Sequence, residues 1–293
     1  MNTFGVIDNI LFVIVIFEKN IEQSHTFITL KKNMGLDFDQ INLMIYDNTP
    51  NKEPTNKING NVHYVSSGKN DGLSKAYNYG IELAASLSKE YLVVLDQDST
   101  VTREYINRIL YEISHKRPDV IVPSIKCQGL SISPYKINST GQYDFLNINH
   151  GGGIYAINSF TVFSLYALKK INGFNEFYWL DGLDFDTFYK ISKENLKVTV
   201  MNDVLVEHSL SLITDNISIS RLRNIAYYEA VFFFENFNIV ACLICFFRLL
   251  VRVLKKRRYR SIGVKGILLY VYSIFDGSLT GVARRIKKVK NTF

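Results

Sequence analysis

The chain has 293 residues, 47% of them hydrophobic and 21% charged, which is typical of a folded globular protein and excludes a disordered or collagen-like chain. Three cysteines are too few for a disulfide framework, so a reducing cytoplasm fits best. The formal charge of +7 is unevenly spread, because residues 237–293 hold 13 Lys or Arg against Asp276, a net of +12, which leaves 7 − 12 = −5 for residues 1–236.

The first strongly apolar segment, residues 10–17 (ILFVIVIF), predicts a strand buried on both faces. Helical and strand-like patterns then alternate, which predicts an α/β fold with a mostly parallel sheet flanked by helices. A glycine-rich G-x-G-x-x-G turn does not follow the first strand, so a dinucleotide cofactor is not expected. The further predicted elements are a helix at 21–30, strands at 41–46 and 62–65, a helix at 72–87 and a strand at 91–95.

The basic tail alternates with apolar runs at 239–250 and 267–274. This pattern predicts amphipathic helices lying on an anionic membrane surface, whereas arms that bind nucleic acid are usually less apolar. Arg248 and Arg252 interrupt the first run before it reaches the ~18 to 20 apolar residues that a spanning helix needs. We therefore expect a body at 1–215 and a membrane-associating helical extension at 216–293, attached to the membrane without crossing it.

Two carboxylates, Asp96 and Asp98, follow the strand at 91–95. At such a strand end they could share one divalent cation, which in turn could clamp a diphosphate. The alternative is that Asp98 or Ser99 simply caps the helix that starts near Thr102.

A second acidic cluster lies in residues 173–186, where aromatic residues separate Glu176, Asp181, Asp184 and Asp186. Aromatic rings beside carboxylates suit a sugar site, because rings pack on the apolar faces of sugars and carboxylates accept hydroxyl hydrogen bonds. The alternative is a solvated helix start, where acidic residues favour the helix dipole.

Taken together, these motifs resemble the family 2 nucleotide-sugar glycosyltransferases of the GT-A fold, close to their bacterial rhamnosyltransferase branch. The resemblance covers roughly residues 10–210 and depends on the order and spacing of the motifs. They are Tyr46-Asp47-Asn48, the Asn70 to Gly80 segment, Leu95-Asp96-Gln97-Asp98-Ser99, Gly173-Phe174-Asn175-Glu176, Asp184-x-Asp186 with Lys190, and Val206-Glu207-His208.

The resemblance implies roles for individual residues. It makes Asp184 the catalytic base and Asp98 and His208 the ligands of Mn²⁺ or Mg²⁺. The residues that it implies for donor binding are Phe17, Asp47, Asn70, Lys75, Asn78, Asp96 and Gln97. Those that it implies for the acceptor side are Gly152, Gly153, Tyr178, Trp179 and Asp181.

The expected reaction is one in-line displacement that inverts the anomeric centre, with Asp184 taking the proton of the acceptor hydroxyl. The expected donor is a dTDP- or UDP-sugar carrying rhamnose or another hexose. The expected acceptor is a lipid-linked glycan of a bacterial surface polysaccharide, at the cytoplasmic face of the cell membrane, where the protein would be peripheral.

Two other classes of protein remain open. A nucleotidyltransferase also uses paired acids on an α/β sheet, but it would need a basic or glycine-rich triphosphate loop, which Glu18-Lys19-Asn20 does not supply. A non-catalytic module that binds membrane or nucleic acid would explain the tail but not the acidic clusters.

Overall fold

The structure is a computed structural model that describes residues 3–145, 153–207, 218–255 and 263–290. The helices are α1 (Thr3–Ile7), α2 (His25–Met34), α3 (Gly72–Ser86), α4 (Arg103–Lys116), α5 (Leu165–Lys170), α6 (Leu183–Lys193), α7 (Ile219–Asn236), α8 (Ile239–Lys255) and α9 (Gly263–Lys290). The strands are β1 (Ile10–Ile16), β2 (Asn42–Asp47), β3 (Thr55–Asn59), β4 (Val62–Ser66), β5 (Tyr91–Asp96), β6 (Val120–Cys127), β7 (Leu130–Ser133), β8 (Tyr135–Ile137), β9 (Tyr143–Asp144), β10 (Ile154–Tyr155), β11 (Val162–Ser164) and β12 (Val198–Glu207).

The chain divides into two compact units. The first contains residues 1–134 and 148–209, and the second contains residues 135–147 and 210–293. The first unit holds the large sheet, whose strand order is β12-β6-β11-β5-β1-β2-β4-β3, with β7 paired to β6. Strand β1 pairs in parallel with β2 and β5, β2 with β4, and β6 with β12, whereas β3, β7 and β11 run antiparallel to their neighbours. The predicted mostly parallel α/β sheet is thus confirmed.

Strand β1 lies at the centre of the first unit, and all seven of its residues are buried. One face of the sheet packs in a core with residues of α2 and α4, among them Leu30, Tyr105 and Ile109. Helix α3 packs on β1 so closely that a Cβ added to Gly80 would lie 2.9 Å from the Val13 side chain. Burial on both faces explains why β1 reads as an unbroken apolar run.

The predicted start of the helix at 21–30 is wrong. Residues Ile21–Gln23 form a short 3₁₀ turn, and α2 begins only at His25. The Ser24 side chain accepts a hydrogen bond from the Phe27 backbone N–H and so caps α2. A serine at this position satisfies a helix-terminal N–H group, and it therefore marks the start of α2.

In the second unit, α7 and α9 pack against each other at two glycines of α9. A Cβ on Gly277 would lie 2.4 Å from the Tyr227 carbonyl oxygen, and one on Gly281 would lie 2.6 Å from that of Val231. Only glycine permits backbones to approach this closely. One side of α9 is therefore packed against α7.

Two buried carboxylates of α7 bind basic residues of the tail. Glu229 accepts hydrogen bonds from Arg248 and Arg252 at 2.8 and 2.9 Å, and Glu235 pairs with Arg284 and Lys288, both at 2.7 Å. Burial by itself raises the pKa of Glu229, but the two arginines outweigh it and hold that pKa below its usual value. Four of the 13 basic residues after position 236 are therefore paired inside the unit, with two negative charges against their four positive ones.

Candidate active site

The carboxyl ends of three parallel strands meet at one edge of the large sheet. Ile16 of β1 pairs with Asp47 of β2, and Val15 pairs with Asp96 of β5. Asp47 and Asp96 therefore flank the end of β1. Open α/β sheets bind their ligands beyond these strand ends, so this edge is the candidate site.

The loops that follow β1 and β5 are tied together at this edge. The Phe17 backbone N–H donates to the Gln97 side-chain oxygen at 2.9 Å, and the Ser24 hydroxyl donates to the Gln97 carbonyl at 3.0 Å. The Phe17 side chain is exposed. Two residues expected to bind the donor thus lie side by side.

Asp47 is fully buried, and described residues surround its carboxylate. It accepts from Lys52 Nζ at 2.6 Å, from the Thr49 backbone N–H at 2.8 Å and from the Tyr64 hydroxyl. Burial raises the pKa of Asp47, but Lys52 and these hydrogen bonds outweigh it and keep that pKa below its usual value. The residue is a fixed, charge-compensated acceptor, and its role in donor binding stays a prediction.

Asp98 is exposed, and within the described residues its carboxylate makes no hydrogen bond or ion pair. The capping alternative is wrong for Asp98 and Ser99, because the side chain of Thr102 caps α4 by accepting from the Tyr105 backbone N–H. An exposed carboxylate two residues after the half-buried Asp96 fits a divalent cation, which prefers oxygen ligands.

The second expected metal ligand, His208, lies outside the described residues. Among the residues that the structure does describe, no group of three or more His, Cys, Asp or Glu side chains converges on a metal position. Asp98 with Asp96 is therefore the part of the expected metal site that the structure describes.

A close contact joins the start of α3 to the loop before α6. Gly72 has φ +79°, and a Cβ there would lie 2.4 Å from the Trp179 carbonyl oxygen, which also accepts from the Leu73 backbone N–H at 2.9 Å. The Asn48 side chain accepts from the Asp71 backbone N–H at 3.2 Å and donates to the Gly72 carbonyl at 3.1 Å. The end of β2, the start of α3 and the aromatic loop thus form one connected wall.

Three of the expected donor-binding residues lie on or beside α3. Asn70 is exposed, and Lys75 is exposed and pairs with Asp71 at 2.9 Å. Asn78 exchanges two hydrogen bonds with the Phe174 backbone, at 2.8 and 2.9 Å, and donates a third to Glu176. Asn78 therefore holds the 173–176 loop against α3, and its direct contact with a donor stays a prediction.

The acids of the 173–186 cluster differ in how they are held. Helix α6 begins after Gly182, with Asp184 and Asp186 in its first turn, as the helix-start interpretation expected. Asp186 is buried, pairs with Lys190 at 2.9 Å and accepts from the Asn175 side chain at 3.2 Å. Asp184 is half-buried and accepts from the Asn158 backbone N–H at 3.1 Å.

The residues expected to bind the acceptor differ in how far they are exposed. Trp179 is half-buried beside Gly72, Asp181 is buried, and Tyr178 is fully buried with its ring 5.1 Å from that of Phe177. Gly153 has φ +83° with open space around its Cα, whereas Gly152 lies outside the described residues. Their roles stay predictions.

No role was predicted from the sequence for two residues, Tyr77 and Asn158. Tyr77 lies in the Asn70 to Gly80 segment at the helical spacing of the apolar residues in α3, and Asn158 belongs to no motif. Burial raises the pKa of Tyr77, and the carboxylates of Asp96 and Asp184 raise it further.

Comparison with a solved structure supports this fold. A crystal structure of GalNAc-T7 with UDP, GalNAc and Mn²⁺ is similar to this chain with a TM-score of 0.58 and 14% identity, over 96% of this chain and 56% of that one. A crystal structure of S. aureus TarS gives a TM-score of 0.49 and 14% identity, over 94% and 55%. This chain thus spans little more than half the length of these two solved chains.

The fold is therefore that of the GT-A glycosyltransferases. The dTDP-rhamnosyl transferase RfbF of Shigella flexneri is 21% identical over 210 residues, which are 69% of each chain. Residues 32–171 match the family model described as glycosyl transferase family 2. Residues 32–171 are thus similar to family 2 glycosyltransferases, and the Shigella flexneri relative is a rhamnosyltransferase.

Proposed function

We propose that this glycosyltransferase is an inverting, divalent-metal-dependent hexosyltransferase that uses a dTDP- or UDP-sugar. The observation that carries the proposal is that residues 158 and 159 connect the end of β5, where Asp96 and Asp98 lie, to Asp184 at the start of α6. The relative whose name specifies dTDP-rhamnose supports rhamnose as the sugar, and the neighbour solved with UDP and Mn²⁺ supports a nucleotide donor and a metal.

In the proposed reaction the acceptor hydroxyl oxygen attacks the anomeric carbon, the bond from that carbon to the diphosphate oxygen breaks, and Asp184 takes the hydroxyl proton. We assign proton transfer to Asp184, the residue that the resemblance implies as the base, whereas Asp186 is buried and pairs with Lys190. A cation bound by Asp98, with His208, would neutralise the departing diphosphate. One displacement at the anomeric carbon inverts its configuration.

Replacing Asp98 with Ala is expected to abolish metal-dependent binding of nucleoside diphosphate without unfolding the protein. The side chain is exposed and makes no hydrogen bond or ion pair with described residues, so its loss opens no core. Calorimetry with dTDP and UDP, with and without Mn²⁺, measures the effect, and Glu104→Ala, another exposed acid, is the control. Equal Mn²⁺-dependent affinity in Asp98→Ala and the unchanged protein would contradict the metal assignment.

We further propose that the second unit holds the enzyme on the cytoplasmic face of the bacterial cell membrane, where a lipid-linked glycan of a surface polysaccharide is the acceptor. Apolar side chains project into solvent from α8 and α9 at helical spacing. They are Ile239, Val240, Leu243, Phe247 and Val251 on α8, and Val264, Leu268, Tyr272, Phe275, Leu279, Val282, Ile286 and Val289 on α9.

Among the described helices, α9 alone is long and apolar enough to cross a membrane, which by itself is weak support for a span. Gly277 and Gly281 pack one side of α9 against α7. This packing favours a helix that lies on the membrane with its other side in the lipid. Lys265, Lys287 and Lys290 flank the exposed residues, and each basic side chain near anionic lipid contributes on the order of 1 kcal/mol.

The double variant Leu268→Glu/Leu279→Glu is expected to lose at least about tenfold in binding to phosphatidylglycerol vesicles, because each buried leucine contributes roughly 1.5–3 kcal/mol. Both side chains are exposed, by 64% and 71%, so the fold should persist. Flotation measures the binding. The matched control is Leu130→Glu/Leu205→Glu, which changes the charge equally at exposed leucines of the first unit. Equal flotation of the two double variants would contradict membrane attachment through α9.

A further inference from the structure

Two buried side chains of the first unit have polar atoms without hydrogen-bond partners among the described residues. Tyr77 is 0% exposed and Asn158 is 2% exposed. Within the part of the chain that the structure describes, the Tyr77 hydroxyl and both polar atoms of the Asn158 amide make no hydrogen bond. Such groups are costly to leave unpaired, because they have given up their hydrogen bonds to water.

Two other buried tyrosines, Tyr105 and Tyr270, are paired. Tyr105 is also 0% exposed, and its hydroxyl donates to the Phe160 carbonyl at 2.9 Å. It lies in the core on α4. The unpaired hydroxyl of Tyr77 is thus not a general property of buried tyrosines in this fold.

Asn158 lies beside the proposed base, and the Tyr77 ring packs 5.1 Å from that of Phe174 in the loop that Asn78 holds against α3. The Asn158 backbone N–H donates to Asp184 at 3.1 Å, and the hydroxyl of the next residue, Ser159, accepts from the Asp96 backbone N–H at 3.1 Å. Residues 158 and 159 therefore connect the end of β5 to the start of α6. Asp96 and Asp184 also act electrostatically on Tyr77.

We propose that the Tyr77 hydroxyl and the Asn158 amide bind hydroxyl groups of the transferred sugar, an inference that rests on the proposed function. A sugar hydroxyl both donates and accepts hydrogen bonds. The Asn158 amide and the Tyr77 phenol together provide donors and acceptors for it. The neighbouring carboxylates disfavour a phosphate at this position and favour a neutral polar group. Burial keeps the pKa of Tyr77 well above its usual value, so the phenol stays neutral.

The test compares a sugar nucleotide with its free nucleoside diphosphate in the variants Tyr77→Phe and Asn158→Ala. Asn158→Ala keeps the backbone N–H that holds Asp184. Calorimetry with Mn²⁺ uses dTDP-rhamnose beside dTDP, and UDP-galactose beside UDP. Each variant is expected to bind the preferred sugar nucleotide about tenfold more weakly, with affinity for the free diphosphate unchanged.

Melting temperature gives an independent readout. Tyr77→Phe removes an unpaired group and should not lower the melting temperature, whereas the control Tyr105→Phe loses a buried hydrogen bond and should lower it without altering sugar-nucleotide affinity.

The inference is overturned if both variants keep the full affinity for the sugar nucleotide, or if Tyr77→Phe lowers the melting temperature as much as Tyr105→Phe does, which would indicate a structural partner such as a buried water. If the unchanged protein prefers neither sugar nucleotide over its diphosphate, the proposed function fails, and the inference fails with it.

Discussion

Asp184→Asn is expected to lower turnover by ~10²- to 10⁴-fold while donor and metal binding stay intact. The amide keeps the shape of the carboxylate and can still accept from the Asn158 N–H, but it cannot take up the acceptor proton. Turnover at saturating donor and donor affinity by calorimetry measure the two effects separately.

Asp181→Asn and Asp186→Asn are the matched controls for this prediction. Asp186 is paired with Lys190 and Asn175, so its replacement should lower stability more than turnover. Near-native turnover in Asp184→Asn, or a larger loss in either neighbour with donor binding intact, would mean that the base is misassigned.

Glu229→Gln is expected to destabilise the second unit by roughly 3–5 kcal/mol, because it leaves Arg248 and Arg252 without their buried counter-ion. Urea unfolding measures the loss, and Glu104→Gln, an exposed glutamate of α4, should change stability by no more than about 0.5 kcal/mol. The double variant Glu229→Gln/Arg252→Met should recover part of the loss. Equal stability of the two single variants would contradict the role of the cluster.

The pH dependence of this effect has a definite sign. The pKa of Glu229 is lower in the folded protein than in the unfolded chain, so its contribution is present above the unfolded value of about 4.3 and is lost as the pH falls through the folded value. Acid should therefore destabilise the unchanged protein more steeply than Glu229→Gln.

The strands and their ends could be predicted from the sequence. The apolar run at 10–17 forms β1, which is buried on both faces over residues 10–16, and Asp47 and Asp96 are the last residues of β2 and β5, at the edge of the sheet where β1 ends. These features depend on local pattern and on the rule that parallel strands share one carboxyl edge. The helix start at His25 was missed because the Ser24 cap lies inside a longer helical pattern.

Contacts between distant segments could not be predicted. Asn78 holds the Phe174 backbone 96 residues away, and Gly72 meets Trp179 across more than 100 residues. The net charge of residues 237–293 overstated the free positive charge of the tail for the same reason. Glu229 and Glu235 lie before residue 237 and pair with three arginines and one lysine that lie after it. The residue pattern along the chain predicts helices and strands, but it does not show which distant side chains meet in the folded protein.

The proposed reaction is tested most directly by phosphorus NMR of a dTDP- or UDP-sugar incubated with the protein, Mn²⁺ and a bacterial membrane extract as the source of acceptor. The account predicts release of the nucleoside diphosphate, dependent on Mn²⁺ and lost in Asp184→Asn. Release of pyrophosphate or nucleoside monophosphate would indicate a nucleotidyltransferase or another phosphoryl chemistry. If no dTDP- or UDP-sugar is consumed, the protein would instead be a binding module. Either result would contradict the proposed transfer.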